Sequence, residues 1–135
     1  MEQILSDRLG KSAGYKRKEL PQVDLDDIPK IVSELVLRDK VGFKVLAIAA
    51  SRIKFTQDEI DKDKVESKRG RGKRKQYKYR LFLLSRGWYT VDGHHDVAHA
   101  LLDNPKQKLM CFVFDLSIHE LIDRINQSKI SYNGE

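Results

Sequence analysis

The chain has 135 residues, 40% of them hydrophobic and 34% charged, the composition of one globular domain rather than a disordered tail or a multidomain enzyme. A single cysteine, Cys111, excludes an internal disulfide framework and a cysteine-built zinc site. The longest apolar run, residues 45–50, is too short to span a bilayer, and the opening residues lack the basic flank and apolar stretch of an export signal. No membrane association is expected, and a cytoplasmic location fits, in a host cell or a virion if the chain is phage-encoded.

In chain order, residues 1–19 carry Gly10, Gly14 and scattered charges with weak periodicity, and read as an N-terminal arm ahead of a domain over 20–135. Leu25, Ile28, Ile31, Val32, Leu35 and Val36 then recur at three- and four-residue spacing behind Asp24, which predicts an amphipathic helix ending near Asp39, with Pro29 tolerable only near its first turn. Past Gly42, the alternation of residues 43–50 predicts a strand. Thr56-Gln57-Asp58-Glu59 has the form of a capping box opening a helix to about residue 67. Residues 79–84 and 88–91 read as paired strands joined by Ser85-Arg86-Gly87. A short helix over 97–102, a buried strand over 109–114 and a last helix from the capping box Ser117-Ile118-His119-Glu120 to about Asn126 complete an α/β (α+β mixed) domain.

Charge is concentrated. Between Glu66 and Asp92 there is no acid, while Lys68, Arg69, Arg71, Lys73, Arg74, Lys75, Lys78, Arg80 and Arg86 supply +9 to a chain whose net charge is +6. The remainder is mildly acidic, so the basicity forms one patch, the footprint expected for a polyanion such as DNA. Glycines at 70 and 72 and the nearby Tyr77, Tyr79 and Trp88 favour nucleic acid over a merely solvated charge run. Lys68 to Arg80, less Arg86, is therefore the candidate DNA-binding segment. No base-reading helix is evident, which predicts weak sequence preference.

Asp92-Gly93-His94-His95-Asp96 interrupts a strand and opens a helix, the kind of junction that holds a phosphate on backbone N–H groups at a positive helix end. His95 and His99 stand at i and i+4, and with Asp92 and Asp96 they could hold a divalent metal, magnesium or manganese; the bland alternative is a satisfied histidine at 99 and a helix capped by His94 or His95.

Several segments resemble the ParB/sulfiredoxin-type fold, of the compact sort labelled ParB-like nuclease in phages and mobile elements. Leu20-Pro21-Gln22-Val23-Asp24 before the first helix, Thr56-Gln57-Asp58-Glu59-Ile60, Val91-Asp92-Gly93-His94-His95 and Phe112-Val113-Phe114-Asp115-Leu116-Ser117 match its landmarks in order, over residues 20–126. The resemblance implies a compact sheet flanked by helices, with Gly93, His94 and His95 binding phosphate. It also brings Asp58 and Glu59 near that loop as candidate acid–base or metal groups beside Asp92, His94 and His95, although Glu59 already serves the capping box. Relatives use the loop for nucleotide binding, sulfinic acid repair, amino-acid phosphorylation or DNA cleavage. The family continues the loop with arginine where this chain has Asp96, which argues against a nucleoside triphosphate. The expected function is a DNA-associated ParB-like domain acting as a metal-assisted nuclease or nickase. The alternatives are a non-catalytic DNA-binding or virion-associated accessory protein, alone or with protein partners or further copies of itself, and a nucleotide-dependent enzyme such as a kinase.

Overall fold

The computed structural model describes Tyr15 and residues 20–56, 76–128 and 132–133. The anticipated capping box at 56–59, Asp58, Glu59 and the basic residues 68–75 lie almost wholly outside these, with Thr56 alone inside. The described part is a small α+β fold of three helices and a three-stranded mixed sheet, with a two-stranded ribbon beside it.

Strand β1 (Pro21–Gln22) leads into helix α1 (Ile28–Ser33), which is preceded by a 3₁₀ turn at Leu25–Asp27 and extended by a π-helical turn at Glu34–Arg38. Most of the predicted face is the buried one: Ile28, Ile31 and Leu35 are covered and Val32 and Val36 half-buried, but Leu25, in the 3₁₀ turn, is exposed. Pro29 sits at the second helical position, where its missing N–H would have no intrahelical acceptor anyway. Asp24 precedes the 3₁₀ turn without a side-chain capping bond. The helix ends where Lys40 turns left-handed (φ 57°) and the Val41 N–H reaches back to the Leu35 carbonyl at 2.9 Å.

Strand β2 (Phe43–Ala49) runs antiparallel to β4 (Lys108–Phe114) over seven residue pairs, from Phe43 opposite Phe114 to Ala49 opposite Lys108. Strand β3 (Phe82–Leu84) lies parallel to β4 on its other side, so β4 is central. Alternation divides the sheet's two faces. Ile48, Leu109, Cys111, Phe82 and Leu84 turn to one side, where Val97, Ala98 and Ala100 of α2 (His94–Asp103) close a core. Leu83 and Phe114 turn to the other, against Ile28, Ile31 and Leu35 of α1 and Ile118, Leu121, Ile122 and Ile125 of α3 (Ile118–Asn126). Ser117 caps α3 with both halves of the predicted box present. Strand β5 (Tyr132–Asn133) pairs antiparallel with β1.

Two expectations are corrected. The paired strands over 79–84 and 88–91 reduce to the three residues of β3 and a returning segment that touches it through one antiparallel bridge, Leu84 to Thr90. Gly87 (φ 78°) and Trp88 (φ 67°) bend the chain away, and the far side of the return bonds to Lys54 instead, through Trp88 O (2.9 Å) and Thr90 N–H (3.0 Å). Helix α2 also begins at His94, earlier than predicted, with Gly93 as its N-cap, so neither His94 nor His95 caps it.

Candidate phosphate-loop site at the start of α2

The junction is built around Gly93. Its backbone is left-handed (φ 75°), and a Cβ there would stand 2.6 Å from Nη1 and 2.8 Å from Cζ of Arg80. Only glycine allows this backbone shape and this approach together. The Arg80 guanidinium, carried in from just before β3, lies 4.5 Å from the Phe82 ring centre and donates from Nη1 to Asp96 Oδ2 at 3.1 Å. Both side chains of this pair are almost covered, 5% and 6% exposed, and among the described residues the buried Arg80 Nε has no hydrogen-bond partner. Arg80, expected among the DNA-gripping cations of the basic segment, has its guanidinium buried at the loop against Gly93 and paired with Asp96.

Asp92 stands one residue before the cap. Its carboxylate accepts the Val23 N–H at 3.2 Å, and burial raises its pKa against the opposing pull of Arg80 and of the Gly93 and Val23 N–H groups. The Thr90 hydroxyl holds the Asp92 carbonyl at 2.7 Å.

His94 is buried beside Phe55, and its Nε2 accepts the Thr56 N–H at 3.2 Å, which requires a neutral ring carrying its proton on Nδ1. Burial pushes its pKa down to about 3, with His95 and Arg80 acting in the same direction and a bond to the Thr90 backbone opposing. The Thr56 hydroxyl donates to the Thr90 carbonyl at 2.5 Å. His94 therefore joins the 53–56 segment to α2 as a neutral acceptor.

His99, one turn further on, places Nε2 3.3 Å from Asp103 Oδ2 and meets Tyr77 edge to face at 5.1 Å, while the Tyr77 hydroxyl donates to the same Asp103 oxygen at 2.6 Å. Tyr77 is 1% exposed, so this trio locks the chain leaving the basic segment onto α2.

The anticipated site residues thus separate. Asp92, Gly93, His94, His95 and Asp96 do share one loop and one helical turn. Of the four expected metal ligands, Asp96 faces Arg80, His99 faces Asp103 and Asp92 accepts the Val23 N–H, and Asp92 and His95 are both half-buried. Among the described residues no cluster of three or more His, Cys, Asp or Glu side chains is arranged to hold a metal ion. Sequence reading missed the Arg80–Asp96 pair and the Tyr77–Asp103 bond, because these join residues many positions apart and leave no periodic trace, and it did not single out the i, i+4 pair His99–Asp103. Comparison with protein families, curated proteins and solved structures finds no match to this chain. No helix among the described residues is long and apolar enough to cross a membrane.

Proposed function

We propose that this protein is a DNA-associated domain of the ParB-like kind that holds the nucleic-acid backbone with little sequence preference. The observation that carries the reading is where the residues flanking the basic segment are fastened. Thr56, before it, bonds to His94, and Arg80, after it, bonds to Asp96, so both flanks meet α2 beside the Gly93 loop, while Tyr77 bonds to Asp103 at the far end of the helix. The residues on either side of the basic segment thus start from α2, whose N-terminus itself favours anions. Net charge +6 and a pI near 9.4 agree with a polyanionic partner.

Cleavage is the second reading, favoured by Asp92, just before the Gly93 cap, and His95, on the first turn of α2, which are half-buried and are the acid–base groups a phosphodiester bound at the loop would meet.

The test combines a mobility shift with a plasmid assay. Duplex binding should weaken with a log–log salt slope of about −4 to −5 if about five cations meet phosphates, and fall further when Arg71, Lys73, Arg74 and Lys75 are changed to alanine. Absence of any shift at low salt overturns both readings. Nicking of supercoiled plasmid with magnesium or manganese, abolished by chelator and by His95→Ala while the shift persists, establishes the second; a shift with intact plasmid leaves the first.

A further inference from the structure

A cleft of about 660 Å³ opens between the start of β2 and the turn after β3, along the end of β4 with Val113 on its floor. That is within the range of about 300–1,000 Å³ that small-molecule sites occupy. Leu46 and Trp88 give it apolar walls, and Lys44 and Arg86 stand on its rim with Asp115 as the lining acid.

Three features set it apart from an accidental groove. Trp88 adopts φ 67°, a backbone conformation rarely taken by a bulky residue, and is held there by its N–H to Ser85 O (3.0 Å) and its carbonyl to the Lys54 N–H (2.9 Å). The indole carries the Arg52 guanidinium 4.8 Å from its ring centre, adding a third cation beside the wall. Arg86, 60% exposed, is paired with Asp115 at 3.4 Å and Glu120 at 3.5 Å, themselves mostly exposed. Such surface pairs are weak, so Arg86 can turn to a bound anion.

An aromatic wall, an apolar floor and two cations on the rim fit a flat ring bearing an anionic group. We propose that this cleft binds a nucleoside monophosphate unit, its base against Trp88 and its phosphate on Lys44 and Arg86, either as a free nucleotide or as an unstacked residue of a single strand. The site is distinct from the Gly93 loop and does not require the duplex binding inferred above.

Trp88 is the single tryptophan in the chain, so intrinsic tryptophan emission reports on this cleft alone. Titration with thymidine monophosphate and with a short oligothymidylate should change that emission saturably, and Lys44→Ala and Arg86→Ala should each weaken the response about five- to tenfold with the circular dichroism unchanged. A response to both ligands identifies a nucleotide site; a response to the oligonucleotide alone identifies a strand site. Silence with both ligands overturns the proposal, as do an equal response to inorganic phosphate and a response that both variants leave intact. Duplex binding with silent Trp88 defeats this site and spares the functional reading above; a Trp88 response without any duplex shift does the reverse.

Discussion

At the scale of single residues, the loop depends on a glycine and a buried ion pair that constrain each other. A side chain at 93 would adopt a left-handed backbone, at a cost of roughly 1–2 kcal/mol, and would collide with a guanidinium hemmed in by Phe82 and Asp96. Gly93→Ala should therefore lower unfolding free energy in urea by about 2–4 kcal/mol, more than the φ penalty alone. Arg80→Ala leaves Asp96 buried without its cation and should cost about 3–5 kcal/mol, whereas Arg80→Ala combined with Asp96→Ala should recover part of that loss. If the double variant is no more stable than the sum of the singles predicts, the pair carries no coupling. Neither member was legible as a partner of the other in sequence: Arg80 read as the last cation of a charge run, and Asp96 as a departure from a family arginine. Space, not spacing, put a guanidinium at the loop.

At the scale of elements, legibility followed local chemistry. The α3 cap was readable because Ser117 and Glu120 satisfy each other's backbone N–H groups across three residues, needing nothing from the rest of the chain: the Glu120 N–H reaches Ser117 Oγ at 3.2 Å and the Ser117 N–H reaches Glu120 Oε1 at 3.3 Å. Ser117→Ala should accordingly destabilise the protein by about 1 kcal/mol, and Ser117→Asp by much less, in paired chemical denaturation curves. The apolar stripe of α1 and the alternation of β2 were equally readable. The returning segment at 88–91 was not, since its alternation resembles a strand while its hydrogen bonds are shared between Leu84 on one side and Lys54 on the other. Lys40 offers a test of the α1 end: it holds a left-handed cap that glycine occupies without strain, and Lys40→Gly should raise stability by about 0.5–1 kcal/mol.

At the scale of the whole molecule, one buried histidine sets an acid limit. The pKa of His94 falls from an ordinary 6.5 to about 3 on folding, chiefly through burial. A neutral native histidine contributes stability that is fully present above the unfolded pKa and is lost as pH drops toward the folded one, at about 1.4 kcal/mol per pH unit below about 6.5. Asp92 acts in the opposite sense, because its raised pKa makes the native state bind a proton more readily than the unfolded chain, offsetting some of the loss as pH approaches 4. Urea midpoints should therefore decline steadily from pH 7 to pH 5, and His94→Gln should flatten that decline; an unchanged slope would remove His94 from the account. Among the described residues, Phe43 (43% exposed), Val45 (49%) and Met110 (46%) lie open on the sheet face that α1 and α3 cover elsewhere.

The sequence by itself determined the helices and long strands, the single basic segment and the glycine at the head of α2, because periodicity, charge and capping act between neighbours in the chain. Only the tertiary structure decided what those residues do for one another: that Arg80 answers Asp96, that His94 is a neutral acceptor for Thr56, and that Trp88 walls a cleft. These roles depend on burial and on contacts between distant positions, and desolvation, which sets the charge of His94 and raises the pKa of Asp92, exists only once the chain has closed around them.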